Sequence, residues 1–198
     1  MIDISLYHYM TEVLKKTPTT FHRYLYSRIN WDSRLIGIVG PRGVGKSTMI
    51  QQHLLSHSAE GLHLYVSADH IYFSSHHLVH LADDFVKEGG THLYIDEVHK
   101  YSGWSRELKQ IYDTHPDLHV IFTGSSILDI QRGEADLSRR ALMYSMQGLS
   151  FREYLEMHHH VISPAYTLDE IISHKVDLPS IAHPLPLFRA CRHDRPVA

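Results

Sequence analysis

The feature that most constrains the fold of this sequence is the segment G-P-R-G-V-G-K-S at residues 40–47. An apolar run, residues 35–39, precedes it, and a helical pattern follows over residues 45–56. The segment fits the pattern G-x-x-x-x-G-K-[ST], in which glycines let the backbone curl so that its N–H groups point at phosphate oxygens. We expect the Lys46 ammonium to lie against the β- and γ-phosphates and the Ser47 hydroxyl to bind Mg²⁺. The segment therefore predicts a nucleotide-binding site.

The predicted nucleotide contacts extend from this phosphate loop, residues 40–47, into the first turn of the following helix. The N-terminus of that helix adds the positive end of its dipole, which favours a bound anion. Thr48, one residue further along, is expected beside the α-phosphate. The full predicted set is Gly40, Pro41, Arg42, Gly43, Val44, Gly45, Lys46, Ser47 and Thr48. A glycine-rich strand-to-helix turn with an incidental lysine is the alternative interpretation.

Short apolar runs alternate with longer amphipathic segments along the chain. Strands are predicted at residues 35–39, 62–66, 92–96, 119–123 and 141–146, and helices at 45–56, 78–86 and 106–112. This alternation indicates a parallel sheet covered on both faces, so the predicted fold class is α/β, a three-layer P-loop sandwich. We expect an N-terminal helical segment over 1–30, with its second helix over 21–30. A P-loop core over 31–157 and an irregular tail over 158–198 follow.

Two acidic residues lie at the end of the third predicted strand, and their position predicts a hydrolysis site. Asp96 ends that strand and Glu97 comes next. Because ligands of open α/β sheets bind at the carboxyl ends of the strands, we expect Asp96 beside the phosphate loop, holding Mg²⁺ through water. Glu97 would then orient and deprotonate the attacking water. A strand that ends in two solvated acids is the alternative.

Three further residues are candidates for contact with the γ-phosphate. Thr123 ends the fourth strand, where a polar side chain would contact the γ-phosphate or the attacking water; a cap on the following helix is the alternative. Arg139 and Arg140 are candidates for a guanidinium directed at the charge that develops on the phosphate, an effect worth about 10³–10⁵ in rate. They would act in cis or across a subunit boundary, and a solvated basic turn is the alternative.

Five segments together resemble one family, the prokaryotic AAA-type P-loop ATPases that usually carry a winged-helix lid and a nuclease-like C-terminal domain. The segments are the phosphate loop, Y-I-D-E-V-H-K at 94–100, W-S-R-E-L-K at 104–109, F-T-G-S-S at 122–126 and L-S-F-R-E-Y-L at 149–155. The resemblance runs from about residue 21 to residue 155. It implies an ATPase with the sheet order 5-1-4-3-2 and with ATP and Mg²⁺ as ligands.

The resemblance also implies roles for single residues. Lys46 and Ser47 would bind nucleotide and Mg²⁺. Asp96 and Glu97 would serve hydrolysis, and Thr123 would act as the sensor. Members of the family are generally longer, so we expect a truncated member in which residues 158–198 are either an irregular end or a remnant of the lid. Family analogy alone suggests nucleic acid as a partner, and an arginine acting in trans would require a homo-oligomer.

Composition limits the classes of protein to consider. Lysine and arginine number 19 against 22 acidic residues, so the net charge of −3 provides no general attraction to nucleic acid or anionic lipid. The single cysteine, Cys191, excludes an intrachain disulfide. No apolar stretch reaches the roughly 18 residues that a membrane span needs. We therefore expect a soluble, cytoplasmic protein without a membrane partner.

Two alternative functions remain open and a third is excluded. A GTPase would read guanine with an Asn-Lys-x-Asp segment, whereas Asn30 is the only asparagine in the sequence. A small-molecule kinase could use Arg139 and Arg140 in a lid that clamps phosphates, although a water-activating Glu97 argues against it. A nucleotide-binding interaction module without hydrolysis is the other alternative, and binding without turnover would support it.

Overall fold

A computed structural model describes residues 1–59, 61–125, 137, 139–162 and 164–173. The chain divides into two compact units, Met1–Val161 and Ile162–Ala198. Within the described ranges, no helix has the length and apolar character that crossing a membrane requires. The first unit contains the sheet and the phosphate loop, and it therefore positions the candidate site.

The sheet has five strands, and every neighbouring pair is parallel. The strands are β1 (Leu35–Val39), β2 (Leu62–Ser67), β3 (Gly90–Asp96), β4 (His119–Gly124) and β5 (Leu142–Ser145). Their spatial order is β2-β3-β4-β1-β5, which confirms the expected order 5-1-4-3-2. Because β4 lies between β1 and β3, the carboxyl ends of these three strands lie side by side at one edge of the sheet.

Helices cover both faces of the sheet. In the described part of the first unit they are α1 (Ile4–Leu14), α2 (Lys46–His57), α3 (Leu78–Lys87), α4 (Trp104–Thr114) and α5 (Phe151–His159). Successive strand residues point to opposite faces, and the buried side chains form two clusters. One cluster includes Leu81 of α3, Leu108 of α4 and Leu93 of β3. The other includes Ile50 of α2 and Tyr94, the next residue of β3. This is the expected three-layer α/β sandwich.

The segment after α1 corrects one expectation. The helix predicted over residues 21–30 is wrong, because the structure has only a short 3₁₀ helix there, Tyr26–Arg28. The apolar side chains have helical spacing, but the backbone finds other partners. The side chain of Gln52 donates to the carbonyl of Phe21 (2.9 Å), and a glutamate of α5 accepts the N–H of Tyr24 (2.8 Å). Tertiary contacts thus replace the helical hydrogen bonds of this segment.

The second unit is described over Ile162 and residues 164–173. It contains one described helix, α6 (Leu168–Ile172), which begins with a reciprocal cap. The Thr167 hydroxyl accepts the N–H of Glu170, and the Glu170 carboxylate accepts the N–H of Thr167. The rest of the expected tail, including Cys191, lies outside the described residues.

His53 of α2 is a buried histidine beside the sheet. The residue is 3% exposed, its Nδ1 lies 2.9 Å from the Tyr94 hydroxyl, and its ring stacks on Trp31 with 3.9 Å between the ring centroids. Its Nε2 is buried and makes no hydrogen bond within the described residues. Burial, with a smaller effect of the neighbouring His57, lowers the pKa of His53 to about 3. The folded protein therefore holds this imidazole neutral.

We expect acid to destabilise the protein through His53. An unfolded histidine has a pKa near 6.5, so between pH 6.5 and 3 the unfolded chain binds a proton that the folded chain does not. The free energy of unfolding consequently falls as the pH decreases, by about 3 kcal/mol between pH 7 and pH 4. Urea unfolding of His53→Leu from pH 7 to pH 4 should show a shallower dependence than the parent. The exposed His8→Leu should keep the parental dependence. Equal slopes for His53→Leu and the parent would contradict this assignment.

Candidate functional site

The phosphate loop connects β1 to α2, and its backbone needs glycine at several positions. Gly43 and Gly45 have φ values of +81° and +98°, in the left-handed region that other residues rarely adopt. At Gly40 a Cβ atom would lie 2.1 Å from the carbonyl oxygen of Met146, the residue that follows β5. The loop therefore keeps its shape only with glycine at these places. It ends at the N-terminus of α2, where free N–H groups favour an anion.

Lys46, the first residue of α2, lies inside the loop. It is 4% exposed, and its Nζ donates to the carbonyl oxygens of Gly40 (3.0 Å) and Pro41 (2.8 Å). Burial lowers the pKa of Lys46, while the nearby carboxylates of Glu97 and Asp96 oppose that shift. The phosphate loop therefore surrounds the Lys46 ammonium group, which lies next to the backbone groups that are predicted to bind phosphate.

Asp96, at the end of β3, joins three hydroxyl groups. Its Oδ1 accepts hydrogen bonds from Ser47 (3.0 Å) and from Thr123, and its Oδ2 accepts one from Tyr65 (2.9 Å). Asp96 is 6% exposed. The structure therefore brings together Ser47 and Asp96, the two residues predicted to hold the metal. Carboxylate and hydroxyl oxygens are the hard ligands that Mg²⁺ prefers, so this donor set fits the ion.

Tyr65 is a residue of this site that sequence reasoning missed. Its hydroxyl accepts a hydrogen bond from the amide of Gln51 (2.9 Å), whose oxygen accepts one from Thr17 (3.0 Å). Burial, together with Asp96, raises the pKa of Tyr65 far above its usual range, so the phenol stays protonated and donates to Asp96. No local pattern could have identified Tyr65, because it occupies an apolar position of β2.

Glu97 follows β3 in an unusual backbone conformation. Its φ of 55° and ψ of 42° lie in the left-handed region, which is uncommon for a residue other than glycine. Its N–H donates to the Thr123 hydroxyl (3.0 Å), and that hydroxyl in turn donates to Asp96. Thr123 therefore links the two predicted acidic residues. The Thr123 hydroxyl makes its hydrogen bonds within this cluster. In the alternative interpretation Thr123 would cap a helix after Ser125, but that segment lies outside the described residues.

Two more side chains contact the Glu97 carboxylate. Ser125, just after β4, donates its hydroxyl to Oε1 (2.9 Å), and Nε2 of His99 lies 3.3 Å from Oε2. Neither was identified from the sequence, although each lies within one of the five segments that carry the family resemblance, His99 in 94–100 and Ser125 in 122–126. The Glu97 side chain stays 27% exposed, so water can still reach its carboxylate.

Arg139 and Arg140 do not lie beside the phosphate loop of their own chain. They immediately precede β5, which runs parallel to β1, and the loop follows the far end of β1. The distance between the two arginines and the phosphate loop is therefore roughly 15–20 Å along the strand direction. Arg140 forms two hydrogen bonds to the Asp113 carboxylate on α4 (2.9 and 3.1 Å). This position is incompatible with a role in cis, and a role across a subunit boundary remains a prediction.

A cavity of about 470 Å³ lies next to the phosphate loop. Arg42 and Thr48, both predicted nucleotide contacts, line it together with Phe21, Leu149 and Met157. The side-chain amide of Gln52 on α2 fixes one wall of the cavity, because it donates to the carbonyls of Pro18 and Phe21 in the segment after α1. The cavity is therefore a largely apolar cleft, and one of its walls is the glycine backbone of the phosphate loop.

Arg23 connects this cleft to α5. Its Nε donates to Oε1 of Glu153 (2.8 Å), its Nη1 donates to the carbonyl of Val44 in the loop, and its Nη2 donates to the carbonyl of Gly148 (3.0 Å). Burial alone would raise the pKa of Glu153, but hydrogen bonds from Arg23 and from Ser150 and Tyr24 lower it to about 2. The carboxylate is therefore ionised and fully paired. Arg23 carries no motif of its own, so sequence reasoning missed this contact.

Comparisons with known proteins give three kinds of similarity. The sequence pattern of the AAA domain family matches residues 32–155. An uncharacterized protein of Methanocaldococcus jannaschii is 28% identical over 202 aligned positions, which cover 89% of this chain and 42% of that protein. The chain thus spans less than half the length of that relative.

Solved structures are similar at a lower level. AMPPCP-bound DnaA from Aquifex aeolicus has a TM-score of 0.44 and 16% identity, over 91% of this chain and 56% of that one. A DNA replication initiation factor has a TM-score of 0.44 and 15% identity, over 90% of this chain and 54% of that one.

Proposed function

Because this chain belongs to the AAA domain family of P-loop ATPases, we propose that it binds ATP with Mg²⁺ and hydrolyses it to ADP and phosphate. One observation carries the proposal. Thr123 joins Asp96 and Glu97 in a single hydrogen-bonded cluster, and Asp96 also holds the first hydroxyl of α2, directly after Lys46. Phosphate binding, metal binding and water activation would thus share one edge of the sheet.

Lys46 and the loop backbone would bind the phosphates. The Lys46 ammonium now donates to two loop carbonyls, and the β- and γ-phosphates would become its stronger, charged acceptors. The purine would lie in the apolar cleft beside the loop, against Phe21 and Leu149. Ser47 and Asp96 would hold Mg²⁺, which when bound neutralises phosphate charge.

Glu97 would act as the general base. It accepts a proton from the attacking water as the water oxygen bonds to the γ-phosphorus and the bond to the β–γ bridging oxygen breaks. Its partial exposure supports this role, since water must reach the carboxylate. A kinase would instead need to exclude water at this position. The proposal extends to a homo-oligomer in which Arg139 or Arg140 acts in trans. By family analogy it includes contact with nucleic acid, and it places the protein in the cytoplasm.

Replacing Lys46 with alanine tests the binding part of the proposal. Hydrogen bonds to charged groups contribute roughly 1.5–3 kcal/mol, so ATP affinity should fall about ten- to a hundredfold. Titration with labelled ATP in the presence of Mg²⁺ measures this change. Lys16→Ala, which removes an exposed lysine, is the matched control and should bind like the parent. Unchanged affinity in Lys46→Ala would mean that the loop does not bind phosphate.

A further inference from the structure

Glu97, His99 and Ser125 form a closed ring of contacts beside the proposed ATP site. The Ser125 hydroxyl donates to Oε1 of Glu97 (2.9 Å), and Nε2 of His99 lies 3.3 Å from Oε2. The ring closes because the backbone N–H of Ser125 donates to Nδ1 of His99 (3.2 Å). Each oxygen of the carboxylate therefore has its own partner, from a different segment of the chain.

The backbone of Ser125 fixes the tautomer of His99. A backbone N–H can only donate, so Nδ1 of His99 must present a lone pair, and the ring proton of the neutral imidazole must be on Nε2. Nε2 is the atom that faces Glu97, and His99 is 12% exposed. The imidazole is thus oriented as a hydrogen-bond donor to the carboxylate, in the way that an outer residue orients a catalytic or metal-binding group.

The same ring surrounds a strained backbone. Glu97 has the left-handed φ of 55°, and such conformations persist only where the surroundings hold them. Here the Glu97 N–H is bound by the Thr123 hydroxyl, and its side chain is bound by His99 and Ser125. The conformation and the direction of the carboxylate are therefore set together.

We propose that His99 and Ser125 are positioning residues that hold the Glu97 carboxylate in the orientation needed to deprotonate water. This inference rests on the proposed ATPase function. A glutamate side chain has several rotatable bonds, and misplacing a reacting group by about 1 Å can reduce the rate about a hundredfold. Each of the two residues acts through Glu97.

The test measures kcat, KM and ATP affinity for His99→Ala, Ser125→Ala and His99→Gln. His99→Ala should lower kcat about ten- to a hundredfold while KM and ATP affinity change less than about twofold. His99→Gln keeps a donor of similar reach and should recover part of the loss. If His99→Ala does not fold, which ATP binding reveals, Ser125→Ala and His99→Gln supply the comparison. His77→Ala is the matched control, because His77 also lies near a glutamate, Glu107 (3.1 Å), and it should keep the parental kcat.

A double-mutant cycle separates positioning from general structural damage. In the Glu97→Gln background the His99→Ala change should cause little further loss, because the group it positions no longer acts as a base. A parental kcat in His99→Ala, or the same loss with and without Glu97→Gln, would overturn the positioning role alone. If the parent hydrolyses ATP no faster than Glu97→Gln, the proposed function fails, and the positioning role fails with it.

Discussion

Replacing Glu97 with glutamine is expected to slow ATP turnover about 10²–10⁴-fold while ATP binding stays at the parental level. The change removes the negative charge that accepts a proton from water. It keeps the size of the side chain and both observed contacts, since an amide oxygen can accept from His99 while the NH₂ group donates to the Ser125 hydroxyl. Steady-state phosphate release and titration with labelled ATP measure the two quantities.

Asp96→Asn is the matched comparison for this prediction. Asp96 contacts the Ser47 hydroxyl and is the predicted metal ligand, so its amide variant should weaken both Mg²⁺-dependent ATP binding and turnover. Glu97→Gln should therefore bind ATP without hydrolysing it, whereas Asp96→Asn should bind ATP with a lower affinity. If Glu97→Gln hydrolyses ATP as fast as the parent, Glu97 is not the base and the kinase alternative gains support.

Replacing Arg23 with methionine is expected to lower the free energy of unfolding by about 3–5 kcal/mol, because it leaves a buried carboxylate without its charged partner. The Arg23 and Glu153 side chains are only 11% and 6% exposed, and their Nε–Oε1 distance is 2.8 Å. The lowered pKa of Glu153, about 2, indicates the same stabilisation of the ionised form. Urea unfolding at pH 7 without nucleotide measures the loss.

The Arg140–Asp113 pair provides the matched control. It has similar geometry, but its side chains are 31% and 46% exposed, so Arg140→Met should leave the free energy of unfolding close to the parental value. The double variant Arg23→Met/Glu153→Leu should recover part of the loss, since no unpaired charge remains. Equal losses in Arg23→Met and Arg140→Met would show that burial does not govern the Arg23 contact.

The sequence predicts those parts of the site that depend on local pattern. The phosphate loop needs glycine at fixed positions, and Asp96 ends an apolar strand whose carboxyl end must lie at the ligand edge of a parallel sheet. The five strands alternate with helices, and the sheet order follows from the family resemblance. The loop, the strand ends and the alternation need only short-range information, whereas the sheet order needed the resemblance. The structure confirms that order and brings Ser47 and Asp96 together.

The residues that sequence reasoning missed act across long stretches of chain. Arg23 and Glu153 are far apart in sequence, and Tyr65 meets Asp96 only after β2 and β3 pair. The helix expected over residues 21–30 fails for the same reason, because side chains of α2 and α5 bind its backbone groups. Apolar spacing reports which side chains can be buried, but it does not report which partners the backbone will find.

A single-turnover experiment tests whether this chain hydrolyses ATP with Mg²⁺ and Glu97. Protein in excess is mixed with ATP labelled at the γ-phosphate in the presence of a chelator, and Mg²⁺ is then added. We expect the parent to retain intact ATP before the addition and to release labelled phosphate after it, while Glu97→Gln retains ATP throughout. ATP that stays intact in the parent after Mg²⁺ is added, or that is hydrolysed equally fast in the chelator, would contradict Mg²⁺-dependent ATP hydrolysis at this site.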